Sequence, residues 1–337
     1  MRAVAADHRC RRSPGACAAS LAVLVVSAQV VGADGGLPVE PHTLWRAWSW
    51  DPTVIVPLVV VAWAYARGVG RLWGRAGVGH GVGRGQVTAF AAGLATIILA
   101  LVSPLDTVNE TLFAAHMGQH LLLMLVAAPL LVLGMPSVPF LWALPLASRR
   151  ALGHWWKRAT AVRTVWHTVT HPLVVWSLNV AALWIWHLPA FYELALASAP
   201  VHAAEHACFL GASLLFWWAV LHPSGRRRLG GGMSVLYVFA MGMQMSILGA
   251  LLTFSTALWY PTQEAQSAAW GLTPLADQQL AGVIMWVPSG ALYLIAAAAL
   301  FLAWMRDAEA TMRRREGRVQ DDRALHAPPL PLRTGRG

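Results

Sequence analysis

Two pairs of histidines stand four residues apart in otherwise apolar sequence. His116 and His120 open the run FAAHMGQHLLLMLVAAPLLVLGMP, and His202 and His206 lie in VHAAEHACFL. Residues four apart on a helix share one face, so each pair would direct both imidazoles the same way. Neutral imidazole is a strong ligand for copper, zinc and iron, and two histidines at this spacing can close on one ion. The spacing therefore predicts metal binding.

Other side chains could complete such a site. His187 lies in LWIWHLPAFYE and Asp277 in LADQQLAGVIMW, while Met243 and Met245 belong to the stretch MGMQM. Thioether sulfur suits Cu(I), although buried methionines are also ordinary core residues. A carboxylate at Asp277 could cap the last helix or orient a ligating histidine. The predicted metal residues are His116, His120, His187, His202, His206 and Asp277, with Met243 and Met245 as additional candidates.

The composition indicates a protein whose main solvent is lipid. Of the 337 residues 57% are hydrophobic and only 12% are charged, whereas soluble domains carry about 25% charged residues. A bilayer core of about 30 Å needs about 20 apolar residues per helix, and lipid offers no partner for an open backbone. We therefore predict an all-α, polytopic membrane helix bundle. Its seven transmembrane helices are predicted at 52–70, 86–104, 113–134, 171–189, 202–221, 233–256 and 278–304.

The basic residues predict how the bundle is oriented. After the N-terminal segment 1–33, the arginines and the one lysine fall in alternate connecting segments and in the C-terminal tail, with Arg46 as the exception. Cytoplasmic segments carry the excess of Lys and Arg. The mature N-terminus is therefore expected outside and the C-terminus in the cytoplasm. The five histidines then lie at one depth near the outer surface, at the ends of the third, fourth and fifth helices.

Three segments make up the predicted chain. Residues 1–33 combine a basic start, a short apolar run and a small-residue cleavage site, a pattern typical of a signal peptide. An uncleaved N-terminal anchor is the alternative, and it gives the same orientation. Residues 45–305 form the seven-helix transmembrane domain, and residues 306–337 form a polar cytoplasmic tail.

Several function classes are excluded or disfavoured. The net charge of +10 follows from the membrane orientation, so we expect no nucleic-acid partner. A retinal Schiff base needs a lysine in the bundle, and the one lysine, Lys157, lies in a predicted cytoplasmic loop. No nucleophile with an adjacent base is visible, which disfavours an enzyme.

Four blocks of sequence resemble a known family. SPLDTVNETLFAAHMGQHLLLMLVAAPLLVLGMP, IWHLPAFYELAL, VHAAEHACFLGASLLFWW and DQQLAGVIMW resemble, in order, the signature blocks of the CtaG family of cytochrome c oxidase assembly factors, in its multi-span caa-type branch. The resemblance covers roughly residues 45 to 305. It implies a bacterial multi-pass plasma-membrane protein that helps copper reach the catalytic subunit of a haem–copper oxidase. The family's histidine positions fall on the five outer histidines and its acidic position on Asp277.

Alternatives to a copper-handling assembly factor stay open at this point. Two histidines on different helices could hold a b-type haem, which would make the chain a membrane redox protein. Further hypotheses for its function are a metal-free scaffold for oxidase subunits, a transporter and a sensor. The expected partners are cytochrome c oxidase subunits and membrane lipid, with a copper donor protein as a further candidate.

Overall fold

A computed structural model describes residues 44–109, 111–221, 229–261 and 267–325. The predicted signal segment, residues 1–33, lies outside these ranges, as do Glu110 and the end of the C-terminal tail. The described residues form helices and connecting loops, with no strand among them. The helices are α1 Pro52–Ala76, α2 Arg84–Leu101, α3 Pro104–Asn109, α4 Phe113–Leu133, α5 Ser137–Ala143, α6 Leu146–Arg158, α7 Thr160–Val169, α8 Pro172–Trp186, α9 Pro189–Ala197, α10 Ala199–Leu221, α11 Gly231–Thr253 and α12 Pro274–Leu325.

Six of these helices, α1, α2, α4, α10, α11 and α12, are long and apolar enough to cross a membrane. The fourth predicted span corresponds to α8, whose 15 residues rise only about 22 Å. It qualifies as a span only together with α7, from which it is bent by 64°. The described chain thus has six such helices, or seven if the bent pair is one span. The all-helical prediction is confirmed.

Helix α4 is the central element of the bundle. In its most apolar stretch 61% of the residues are buried, against 22–44% in the other five long helices. It packs against α2, α10 and α12. The first turns of α4 therefore lie inside protein, although the sequence there is apolar enough for lipid.

A π-helical turn, Leu122–Ala127, interrupts α4 just after the histidine pair. Within a π-helix each carbonyl accepts from the amide five residues on. The partner of the Met124 carbonyl would be the amide of residue 129, but Pro129 has no N–H. The indole N–H of Trp217 on α10 donates to Met124 O instead, at 3.0 Å. The bulge thus ties together the two helices that carry the histidine pairs.

The last two long helices pack with very little space between their backbones. A Cβ added to Gly249 on α11 would lie 2.7 Å from Trp286 Cβ and 3.0 Å from Gly282 O on α12. Small residues at such positions let helices approach closely in a membrane. The close packing fixes the start of α12, where Asp277 lies, against the rest of the bundle.

Candidate metal centre

The first pair of histidines is positioned by a carboxylate from a distant helix. Leu112, the residue that precedes α4, has no side-chain group that could cap the helix. Asp277 on α12 fills that role, because its two oxygens accept from the amides of Phe113 at 2.8 Å and Ala114 at 3.0 Å. A negative charge at a helix N-terminus also interacts favourably with the helix dipole. The predicted acidic site residue therefore holds the start of the helix that carries His116 and His120.

The two pairs converge into one cluster of four imidazoles. Within the pairs, ring centroids lie 4.2 Å apart for His116–His120 and 4.3 Å apart for His202–His206. Between the pairs, His116 lies 5.3 Å from His202 and His120 lies 5.0 Å from His206. Three of the rings are buried and His202 is half-buried. Four imidazoles from α4 and α10 therefore share one site.

A carboxylate completes this cluster. Glu205 is 1% exposed, and its Oε1 lies 3.8 Å from His116 Nε2 and 3.9 Å from His120 Nε2. These distances exceed a direct hydrogen bond. One ligand atom each of His116, His202 and Glu205 lie within 4.8 Å of one another, which is close enough for all three to surround one ion. We call the four histidines with Glu205 the histidine centre.

Most polar side-chain atoms of the histidine centre are buried without a hydrogen-bond partner in the described structure. Both ring nitrogens of His116 and of His120 make no hydrogen bond, and the same holds for Nε2 of His202, Nε2 of His206 and Oε2 of Glu205. Buried polar atoms are normally paired, because an unsatisfied one costs about 1–3 kcal/mol. A cation bound among these atoms would satisfy several of them together. The donor set of imidazoles and one carboxylate fits copper, zinc or iron.

His187 lies beside the histidine centre but does not share its contacts. Its Nδ1 donates to Leu183 O at 2.7 Å, and its Nε2 lies 3.4 Å from Met117 Sδ. The aromatic ring of Phe209 stands 6.1 Å from the His187 ring and 4.7 Å from the His120 ring, measured between centroids. The fifth histidine of the predicted set therefore points to a methionine of α4.

Aromatic residues from one loop and two helices close one side of the site. Tyr192 packs edge-on to His116, with centroids 5.4 Å apart, and also contacts Tyr260 and Phe113. The Tyr260 hydroxyl donates to His187 O at 2.8 Å. Burial, together with the nearby Glu205 charge, raises the pKa of Tyr260 above its ordinary value. It therefore stays protonated as a donor and fixes the end of α8.

The two candidate methionines of α11 differ in their surroundings. Met243 is 44% exposed, whereas Met245 is 1% exposed. Between them, Gln244 accepts a hydrogen bond from the indole of Trp184 on α8, at 3.0 Å. Met243 therefore points away from the interior of the bundle, and Met245 belongs to its buried core.

Two functional candidates were missing from the residues selected on sequence alone. Glu205 follows His202 by three residues, so the helical period that pairs the histidines also places it on the same side. Its signal was present in the sequence. Met117 gives no such signal, because its partner His187 comes from a helix far along the chain.

Comparison with known proteins places this architecture in a family. Residues 63–307 match the family model described as cytochrome c oxidase caa3 assembly factor, Caa3_CtaG. The chain belongs to this family. All residues of the histidine centre, together with His187, Met117 and Asp277, fall inside the part that matches Caa3_CtaG. The name of the family describes an assembly factor and not a catalyst.

Curated relatives of this Caa3_CtaG chain occur in mycobacteria. It is 26% identical over 292 residues to uncharacterized proteins of Mycobacterium bovis and Mycobacterium tuberculosis, an alignment that covers 85% of this chain and 44% of each relative. An uncharacterized protein of Mycobacterium leprae is 25% identical over 276 residues, which cover 80% of this chain and 41% of that protein. The chain thus spans less than half the length of these relatives. No solved structure matches it.

Proposed function

We propose that this chain binds copper as a cargo at the histidine centre and delivers it during assembly of a haem–copper cytochrome c oxidase. The observation that carries the proposal is the convergence of four imidazoles and one carboxylate, from two helices, with most of their donor atoms unpaired. Desolvating such groups in the interior of a membrane protein is costly, so they are kept there for a function. The family description names cytochrome c oxidase as the enzyme that is assembled. A haem–copper oxidase needs copper, which makes copper the expected cargo.

The proposal includes a plasma-membrane location and an orientation. The histidine pairs lie at the N-terminal ends of α4 and α10, whereas the basic helices α6 and α7 follow the C-terminal end of α4. Histidines and basic residues thus occupy opposite ends of the bundle. With the basic end in the cytoplasm, seven spans leave the histidine centre at the outer leaflet. Copper would then reach it from outside, directly or from a copper donor protein, and leave toward the oxidase subunits.

The spacing of the rings favours a single ion over a haem. Two axial histidines must face each other across the whole porphyrin plane. In the histidine centre, neighbouring rings pack with centroids 4.2–5.3 Å apart. The proposal therefore assigns delivery of a metal ion to this site, and no catalytic step.

The direct test is the metal content of the purified protein. The full chain is purified in detergent and its bound copper, zinc and iron are measured by elemental mass spectrometry. The variant His116→Ala/His120→Ala is expected to lose the copper. A matched control is His167→Ala/His171→Ala, which removes another pair with the same spacing that lies in α7 and at the start of α8; it should keep the copper.

Other outcomes of this measurement would contradict the proposal. Copper retained in full by His116→Ala/His120→Ala would remove the histidine centre as its site. Iron in place of copper would indicate haem. No metal in any of the three proteins would favour a metal-free scaffold.

A further inference from the structure

The His187 ring has a fixed protonation pattern. A carbonyl oxygen can only accept, so the Nδ1 atom that lies 2.7 Å from Leu183 O carries the proton. Burial disfavours the charged form of an imidazole, and His187 is 6% exposed. The neutral ring therefore has its lone pair on Nε2, the atom that faces Met117.

The partner of this lone pair has no hydrogen to offer. The Met117 thioether accepts weakly and cannot donate, and its side chain is 2% exposed. Two electron-pair donors thus face each other at 3.4 Å at a buried position. An ordinary hydrogen bond does not explain that arrangement, whereas a soft cation between the two atoms would.

We infer that His187 Nε2 and Met117 Sδ form a second metal position, selective for Cu(I), beside the histidine centre. The inference rests on the proposed function in one respect, because copper is taken as the cargo. Thioether sulfur selects Cu(I), whereas imidazole and carboxylate also accept zinc and Cu(II). The additional position thus gives the site a preference for the reduced ion that the histidine centre lacks.

The separation of the two atoms suits metal coordination. With metal–nitrogen and metal–sulfur bonds of about 2.0 and about 2.3 Å, the lengths known for zinc, donors 3.4 Å apart subtend an angle of about 105° at the ion. Two donors at a near-tetrahedral angle leave further coordination positions on the ion free. An ion that must be handed to a partner protein benefits from an incomplete set of ligands.

Both donors are held in place before any ion binds. The His187 ring is tied to Leu183, and its backbone carbonyl accepts from the Tyr260 hydroxyl at 2.8 Å. Met117 follows His116 directly in α4, the helix capped by Asp277. The second position and the histidine centre therefore share a helix, and the ion needs to travel only a short distance between them.

The test is X-ray absorption at the copper edge of the full chain in detergent, loaded anaerobically with one equivalent of Cu(I). Wild-type protein is expected to show sulfur scattering from copper, and Met117→Leu to lose it. Leucine has nearly the volume of methionine and no donor atom, a type of exchange that cores tolerate well. Met285→Leu, at another buried methionine, on α12, is the matched control and should keep the sulfur signal.

An affinity measurement gives an independent readout. In competition with a Cu(I) chelator, Met117→Leu is expected to bind Cu(I) at least about tenfold more weakly, the lower end of the loss seen even for outer-shell changes. The affinity for Zn(II) should stay unchanged, because the histidine centre is intact. Should the leucine variant fail to fold, selenomethionine-labelled protein replaces it, with copper–selenium scattering expected in the wild type and in Met285→Leu.

The outcomes separate the two proposals. Copper that shows only nitrogen and oxygen scattering in the wild type, and is lost in His116→Ala/His120→Ala, would overturn the second position and leave the proposed function standing. Sulfur scattering that survives in Met117→Leu would also overturn it. A wild-type protein that binds no copper would overturn both.

Discussion

At the scale of single residues, Glu205 determines the charge of the histidine centre. It is a buried carboxylate within 4 Å of two imidazoles, and its Oε2 atom has no partner. Replacing a buried carboxylate by an amide keeps the shape and removes the charge that a bound cation would neutralise. Its contribution to metal binding can therefore be separated from its contribution to packing.

We expect Glu205→Gln to weaken copper binding by about tenfold or more, on the scale of changes next to a metal ion. The thermal unfolding midpoint without metal should stay the same or rise, because an unpaired buried carboxylate is removed. Chelator competition and thermal scans in detergent measure the two quantities. Glu193→Gln, on the neighbouring helix α9, is the matched control. Equal affinities in the two variants would exclude Glu205 as a ligand.

Asp277 acts through the helix that it caps. Alanine at this position leaves the amides of Phe113 and Ala114 without their acceptors, at a cost of about 1–2 kcal/mol of stability. Copper affinity should also fall, since the first turn of α4 carries His116. Asparagine keeps one acceptor oxygen and should recover part of both losses. Hydrogen exchange at Phe113 and Ala114 gives a local readout, and unchanged protection in Asp277→Ala would contradict the capping role.

At the scale of helices, the π-turn of α4 depends on a bond supplied by α10. Trp217→Phe removes the donor to Met124 O and leaves a buried carbonyl unsatisfied, at a cost of about 1–3 kcal/mol. Pro129→Ala restores a backbone N–H that could serve the same carbonyl. The cost of Trp217→Phe should therefore be smaller in the Pro129→Ala background. A double-mutant cycle of thermal unfolding in detergent measures this coupling, and additive effects would mean that Trp217 does not replace the missing amide.

Considered as a whole molecule, the bundle shows which features a sequence can predict. Apolar composition located the start of each of the six long helices to within four residues, because each span must satisfy its own backbone in lipid. The predicted end of the last span at residue 304 was wrong, since α12 continues through polar sequence to Leu325. The i, i+4 spacing identified both histidine pairs. Their convergence was not predictable, since residues at one depth can point in different directions around their helices. The cap from Asp277 to α4 and the contact of His187 with Met117 join residues 164 and 70 positions apart, and helical periodicity contains no information on such pairs.

The number of spans and their direction must be tested together, because α8 alone is shorter than a usual transmembrane helix and passes as a span only together with α7. Fusions of alkaline phosphatase or green fluorescent protein after Ala159, between α6 and α7, and after Ser198, between α9 and α10, place reporters on both sides of the bent pair. If α7 and α8 cross as one span with the basic end inside, the phosphatase is active only after Ser198 and fluorescence appears only after Ala159.

Two other results would each correct a different part of this topology. The same reporter active at both positions would mean that the bent pair does not cross. The N-terminal ends of α4 and α10 would then lie on opposite sides of the membrane, which contradicts the contacts of His116 with His202 and of His120 with His206. Reversed activities would keep seven spans and put the histidine centre at the cytoplasmic face. A third fusion after Gly230, before α11, distinguishes a crossing by α10 from a failure of the reporter, because its signal must be opposite to that after Ser198. The outer location of the histidine centre, and with it delivery of copper from outside the cell, requires phosphatase activity only after Ser198 and fluorescence only after Ala159.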